Sequence, residues 1–459
     1  MSAQPQARRR RQAKQPSAPL TRILYPFRRF FEIEASSGVV LLICAVVALA
    51  WANSPYGDLY RRILETPVSV GFGEQRFTLT ILHWINDALM AVFFLVVGLE
   101  IKRELVGGEL ADMRKAALPV ACAVGGMVMP ALIYVAFNAG TADIHGWGVP
   151  MATDIAFAVG VMTILGSRVP FSLKVFLTAL AIADDIGAVI VIALFYGQSV
   201  VWSALGIGFA LLVISAILGA AGLRSPIAYG LIGVAVWAAF LKSGVHSTVA
   251  GVLLALTIPA STRLDAASFQ QRVRNALNDF ARLPANSVPT LAAEQQAAIA
   301  ELERACEEVQ PPLQRIEHML QPWVSFGIMP IFALANSGVH ISGIERLPHP
   351  GVPIGVALGL FVGKPLGIAF AAWFSTRIHV GGLPLAAKPD EVSWKHIIGA
   401  GMLGGIGFTM ALFIAGLAFR DANTLAAAKL ALLVASALSG IAGYLYISRI
   451  PTTEPQSHD

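Results

Sequence analysis

Apolar residues in this chain run in long blocks, at neither the spacing of a surface helix nor that of a half-buried strand. The blocks fall at about 37–53, 83–101, 116–137, 148–166, 172–195, 203–221, 226–240, 244–258, 323–337, 351–374, 396–418 and 425–447. Several approach the roughly 20 residues a helix needs to cross hydrocarbon. Others are short or broken by Gly and Pro, so the expectation is about twelve transmembrane helices, with an error of about one. Two polar interruptions have patterns of their own. Residues 66–80 alternate around "GFGEQ", which predicts an external β-hairpin. In the long connection 260–318, "AAEQQAAIAELERACEEVQ" predicts a cytoplasmic amphipathic helix, either regulatory or a plain insertion.

Composition agrees. Hydrophobic residues make up 56% of the 459 and charged residues 13%, against about 25% charged in a soluble domain. A soluble helical protein could bury one or two such blocks, not twelve. The class is an all-α integral membrane protein. Three cysteines, Cys44, Cys122 and Cys306, form no disulfide framework and no metal motif.

Basic residues set the orientation. Arg8, Arg9, Arg10, Arg11, Lys14, Arg22, Arg28 and Arg29 precede the first span, and no acid stands among residues 1–30. Lys102, Arg103, Arg114, Lys115, Arg168, Lys174, Arg377, Lys388 and Lys395 then fall in alternate connections, whereas 138–147 and 196–202 hold neither Lys nor Arg. By the positive-inside rule both termini are cytoplasmic. The chain divides into a disordered basic tail at 1–30, one membrane domain at 31–448 and a cytoplasmic tail at 449–459. Beside a membrane span, the basic tail fits anionic lipid better than nucleic acid. It does not read as a cleavable signal peptide, because the first apolar segment begins too late.

Charge inside the spans carries the chemistry. Asp87, Glu100, Asp154, Asp184, Asp185, Lys364 and Lys429 lie within spans or at their edges, where ionisable groups usually face one another or a water-filled path. Asp184 and Asp185, adjacent in "TALAIADDIGAVIVIAL", point about 100° apart on a regular helix. One can face an ion while the other meets a partner. Lys364 is the central cation, and pairing it with one aspartate reduces the desolvation cost of both. A purely structural ion pair is the alternative, but it leaves the neighbouring aspartate and Asp154 unexplained. Thr153 and Asp154 follow Pro150 in a weak span. Gly401, Gly404, Gly405 and Gly407 crowd another, which suits a broken helix or close packing equally.

The motifs "HWINDALMAVFFLVVGLEIKREL" (83–105), "ATDIAFAVG" (152–160), "ALAIADDIGAVIVIALFY" (179–196), "LKSGVHSTVAGV" (241–252), "GKPLG" (363–367) and "GIGFTM" (405–410) resemble, in order, those of NhaA-type sodium/proton antiporters of bacterial inner membranes. The resemblance covers roughly residues 30–448. It implies twelve helices, inverted-topology repeats at helices 3–5 and 10–12, and unwound, crossing helices 4 and 11. Gly-interrupted spans flanking a midplane ion site are a general transporter pattern of which NhaA is itself an example, so the two readings are not independent.

The resemblance also implies roles. Asp185 matches the carboxylate that exchanges sodium or lithium for protons, and Asp184 the partner of Lys364. Asp154 and Thr153 balance charge and shape the site. Glu100, Arg103, Glu104, His246, Glu317 and His318 match the cytoplasmic funnel and pH-response region. No cofactor is implied. The transported ions are Na+ (Li+) and H+, two protons per sodium, serving pH and sodium homeostasis. Homodimerisation through the 66–80 hairpin is implied in the same way. Gln321 stands where the best-known pattern has a second histidine, and the 260–318 connection is longer than usual. Both departures are expected to affect the pH response and leave the ion site intact. An organic-anion carrier would want more central cations, a channel a continuous polar pore, and an aspartyl protease its two acids on different spans.

Overall fold

A computed structural model describes residues 19–72, 75–197, 199–262, 264–282, 293–341, 350–380, 383–384, 386–389 and 391–451. Helix α1 (Pro19–Ala52) bends by 111° into α2 (Gly57–Glu65). Strands β1 (Pro67–Phe72) and β2 (Gln75–Thr80) pair antiparallel, from Pro67 with Thr80 to Phe72 with Gln75. This is the expected hairpin; its tip at 73–74 lies outside the described residues. Helices α3 (Ile81–Gly107) and α4 (Met113–Asn138) follow. A 3-10 stretch (Ala142–Met151) then precedes α5 (Ile155–Ile164). Next come α6 (Phe171–Phe195), α7 (Trp202–Ala220), α8 (Pro226–Ser243), α9 (Ser247–Thr257), α10 (Ala266–Arg282) and α11 (Ala293–Val309). The chain continues with α12 (Pro312–Asn336) and α13 (Gly351–Arg377). A two-residue ladder, β3 (His379–Val380) with β4 (Leu383–Pro384), leads to α14 (Trp394–Gly404), α15 (Phe408–Ala418) and α16 (Ala422–Ser448).

Among the described residues nine helices are long and apolar enough to span a membrane, or eleven if each of two bent pairs counts as one span. The short apolar α9 completes the twelve expected. It ends where Pro259 disfavours helical backbone at Ile258. Large apolar side chains such as Leu132, Leu194, Ile207, Ile227 and Leu231 face outward, as lipid requires and a soluble surface rarely allows.

Two boundaries differ from expectation. Helix α1 begins at Pro19, so residues 19–30 of the supposed disordered tail are helical; residues 1–18 and 452–459 lie outside the described residues. The long connection ends at Pro311 rather than 318, because α12 starts at Pro312, which needs no backbone donor at that first position. Leu313 and Ile316 pack on Leu99, Tyr229, Ala255 and Ile258, while the other face of this turn is polar. A uniform-hydropathy reading passes over such an amphipathic start.

Within that connection α10 and α11 pack together through Ala276, Ala298 and Ala305. Arg272 bridges Glu308 at 2.9 Å, and Arg315 of α12 bridges Glu307 at 2.7 Å. These exposed pairs are worth about 0–1 kcal/mol each. The predicted amphipathic helix is thus α11; residues 283–292 lie outside the described residues.

The third to fifth spans and the tenth to twelfth each have a broken span as their middle member. Alternate spans run in opposite directions, so a third and a tenth start from opposite faces and the triplets are inverted copies in topology. Close approach of small residues holds the bundle. A Cβ on Gly98 would lie 2.8 Å from the Ala255 Cβ, and one on Gly367 would lie 2.8 Å from the Gly125 carbonyl carbon. Gly244, at φ 82°, takes the left-handed cap that turns α8 sharply into α9. At the start of α16 the Asp421 carboxylate accepts from Thr424 N and Oγ1, which holds its pKa below the usual carboxylate range. Below, the side bearing β1–β2 is the hairpin face and the side bearing α10–α11 the insert face.

Candidate ion site

Two interrupted helices meet inside the bundle. In the first, residues 152–154 are extended between the 3-10 stretch and α5, with Asp154 at φ −91° and ψ 102°. In the second, residues 405–407 separate α14 from α15 with a 47° bend. Each break strands backbone groups that hydrocarbon cannot satisfy, and the breaks satisfy one another. Asp154 N donates to Ile406 O at 2.6 Å. Thr153 Oγ1 donates to Gly404 O at 2.8 Å. Asp154 Oδ2 accepts from Thr409 N at 3.1 Å and from the Thr409 hydroxyl, while Oδ1 accepts from Phe157 N at 3.3 Å. One carboxylate therefore caps the N-termini of both α5 and α15, the positive ends of their dipoles. Ser436 of α16 accepts from Gly407 N and Phe408 N at 3.2 and 3.1 Å.

Lys364 reaches this crossing from α13. A π-helical stretch, Gly359–Gly363, precedes it and Pro365 follows, so the turn that carries it is irregular. Its Nζ donates to Asp184 Oδ2 at 2.6 Å and to Thr153 Oγ1 at 2.8 Å. Lys364 is 0% exposed and Asp184 1%. The lysine does not snorkel out of the bundle.

Asp185, on the next 100° step of α6, faces elsewhere. It borders a cavity of about 50 Å³ shared with Glu100, Thr153, Asp154, Gln321 and Thr409. That volume exceeds what one water molecule needs. Oδ1 of Asp185 and Oδ1 of Asp184 are buried without a hydrogen-bond partner. The adjacent acids thus divide as their helical spacing requires: Asp184 meets Lys364, and Asp185 faces the cavity.

From Glu100 the polar lining continues towards the insert face. Arg103 stands among three carboxylates: it donates to Glu317, lies 3.3 Å from Glu104 Oε1 and lies 3.8 Å from Glu100 Oε1. Lys102 donates to Leu256 O, at 2.7 Å, and to Ile258 O at the carbonyl end of α9. His318 shares α12 with Glu317 but is exposed, outside this group. His246 lies towards the hairpin face. Its Nε2 is 3.7 Å from Asp87 Oδ1, and its Nδ1 is 2.8 Å from Thr248 Oγ1.

The predicted residues therefore form three places. Thr153, Asp154, Asp184, Asp185 and Lys364 surround the crossing; Glu100, Arg103, Glu104 and Glu317 line the insert side; His246 stands apart. One expectation is corrected. Gln321 is expected to affect only the pH response, yet it lines the cavity with Asp185, because α12 runs past Glu317 into the bundle. Thr409 was missed as a site residue, although its place two residues after Gly407 repeats the Thr and Asp of the other break. Ser436 carried no signal in the sequence beyond being a polar residue in an apolar span.

Residues 28–447 match the family model described as Na+/H+ antiporter 1. The chain is 48% identical to the Na(+)/H(+) antiporter NhaA of Oleidesulfovibrio alaskensis, over 93% of this chain and 94% of that protein. It is also 48% identical to the protein of the same name in Koribacter versatilis, over 95% of both. It is 44% identical to Na(+)/H(+) antiporter NhaA 1 of Saccharophagus degradans, over 94% and 92%.

Proposed function

This chain belongs to the Na+/H+ antiporter 1 family, and on that premise we propose that it exports Na+, or Li+, in exchange for H+ at Asp185. The observation that carries the reading is the division of labour between the two acids. Asp184 is neutralised by Lys364 at 2.6 Å, while Asp185 faces a cavity with one oxygen unclaimed. A hard cation prefers oxygen donors, and Asp185, Thr153 and Asp154 bring carboxylate and hydroxyl oxygens to one small volume. A carboxylate that holds either the cation or a proton makes the two compete. Competition becomes exchange when the site opens to one face at a time.

The finer reading follows from charge. If Lys364 is released from Asp184 as a proton takes its place there, two protons enter for each sodium that leaves, and transport is electrogenic. The membrane potential then drives sodium and pH homeostasis. With positive-inside orientation the insert face and both termini are cytoplasmic and the hairpin face is external. Residues 66–80 are then placed to pair two copies, and the basic N-terminal segment to meet anionic lipid of the inner membrane. The alternative is another proton-coupled secondary transporter that uses the same carboxylates for a different cation.

Reconstitution in sealed vesicles tests the reading. An outward sodium gradient should acidify the lumen and an inward one alkalinise it, and Asp185→Asn should abolish the coupling while the protein stays folded. Substantial sodium-coupled proton movement in Asp185→Asn would end it. Dependence of the wild-type rate on an imposed potential tests electrogenicity separately.

A further inference from the structure

Helix α2 presents three different sides. It follows the break at 53–56, where Pro55 disfavours helical backbone at Ser54. Its 9 residues rise only about 13 Å, too little to extend the crossing made by α1. At about 100° per residue, Gly57, Tyr60 and Leu64 share an arc that packs on the bundle. Asp58, Arg61, Arg62 and Glu65 lie opposite and are exposed, with Asp58 and Arg61 paired at 3.0 Å. On the third side stand Tyr56, Leu59 and Ile63, which are 70%, 50% and 41% exposed. They form an apolar stripe that the described residues leave uncovered.

The packed arc is a grip. Tyr60 Oη donates to Leu334 O at 2.7 Å and to Ala335 O at 3.0 Å, in the last turn of α12. Gly338, just past that helix, leaves the Tyr60 ring the space that a Cβ would fill. Asn53, in the break, donates to Val339 O at 2.7 Å and accepts from Ile341 N at 3.0 Å. The stripe instead continues the surface that lipid covers: Val39, Ile43 and Val46 run along the exposed side of α1 towards the bend. Trp51, in the last turn of α1, has its ring 5.5 Å from that of Tyr60. Tryptophan and tyrosine concentrate at the level of the lipid headgroups.

We propose that α2 is an interfacial anchor, seated through Tyr56, Leu59 and Ile63 in the phospholipid leaflet at the hairpin face, and that it holds the ends of α1 and α12 at that level. A spanning helix stands about 20° from the membrane normal. A bend of 111° therefore lays α2 near the membrane plane instead of carrying it into water. A helix in that plane sinks its apolar side about 5–10 Å into the boundary between headgroups and acyl chains, with its charged side in water. Two arginines balance two acids on the charged side, so the seat needs no anionic lipid. Three side chains fall far short of the roughly 800 Å² per partner of a stable protein interface, which favours lipid over a second copy of the chain. The inference is independent of exchange at Asp185.

Site-directed spin labelling tests it. In a background of Cys44→Ala, Cys122→Ala and Cys306→Ser, a nitroxide is attached at Leu59→Cys or Ile63→Cys on the stripe, and at Arg62→Cys or Glu65→Cys on the charged side. The full chain is reconstituted in phosphatidylcholine vesicles, and power saturation compares collisions with oxygen, which concentrates in lipid, and with a water-soluble nickel chelate. The oxygen-to-nickel ratio at 59 and 63 should exceed that at 62 and 65 by at least about fivefold, as a half-immersed helix requires. Where Leu59→Cys fails to fold, Tyr56→Cys with Ile63→Cys should give the same contrast. Equal nickel access on both sides would place α2 in water and overturn the anchor. Exclusion of both reagents at 59 and 63 would also overturn it, by showing protein, such as a second copy, over the stripe.

Discussion

Lys364 of α13 and Asp184 of α6 meet at 2.6 Å, Nζ to Oδ2, with both side chains shielded from solvent. Neither charge is tolerable alone at that depth, so each is the condition for the other. The pair also fixes Thr153, which accepts from the same ammonium and donates to Gly404 O at the end of α14. The lysine therefore ties α6, both helix breaks and α13 into one network.

Lys364→Ala should lower the unfolding stability of the purified protein by ~3–5 kcal/mol, the usual cost of stranding half of a buried pair. Asp184→Asn should cost a similar amount, since the amide oxygen still accepts a hydrogen bond but leaves the lysine charge uncompensated. Thermal unfolding of both single variants and the double variant forms a cycle. The contact predicts a coupling energy well above the ~0.5 kcal/mol within which distant sites add; strict additivity would show that the two are not partners.

Asp184→Asn should also change the charge moved per sodium, because it removes one exchangeable proton. Current and sodium flux measured together on reconstituted protein report the ratio. An unchanged ratio at an unchanged rate would remove Asp184 from the proton count.

Asp154→Ala should uncap two helices at once. With each cap worth about 0.5–2 kcal/mol, the loss should be roughly twice that of an ordinary cap. Thr409→Val, which removes only one donor to Asp154, should cost about 1 kcal/mol. Equal effects of the two substitutions in thermal unfolding would argue against the double-cap role.

His246→Arg replaces a titratable ring by a permanent cation 3.7 Å from Asp87. A histidine changes charge near neutral pH, so a fixed charge should move the pH–activity curve while maximal flux stays within a few-fold. Flux across a pH series decides. An unmoved curve would mean that His246 serves only as the cap of α9, a role its Nδ1 contact with Thr248 N at 3.4 Å already fills.

Gly367→Val should force α4 and α13 apart, because its Cβ would lie 2.8 Å from the Gly125 carbonyl carbon. Overpacking of this kind costs about 1–3 kcal/mol. The shift should propagate to Lys364, one turn away on α13. Thermal unfolding should therefore show the loss, and a wild-type transport rate in the same variant would show that Lys364 had not moved.

The sequence alone determined the environment and most of the membrane spans, because hydrocarbon permits only long apolar segments with self-satisfied backbones. The hairpin was legible from its alternation, and the two broken spans from Pro150 and from the glycines at 401–407. Adjacency of Asp184 and Asp185 on one helix already required them to face different partners. Helical spacing did not say which acid meets which group; the resemblance implied Asp184 as the partner of Lys364, and the tertiary structure brings the two together. Asp184 meets Lys364 across 180 positions of chain, and Asp154 meets Thr409 across 255. The amphipathic start of α12 also needed its packing partners, since half of that turn is polar. Gln321 illustrates the limit: sequence position put it near His318, and only the path of α12 through the bundle brought it to the cavity wall. Local pattern reports the solvent a residue is built for, whereas the identity of its neighbour depends on how distant helices are packed.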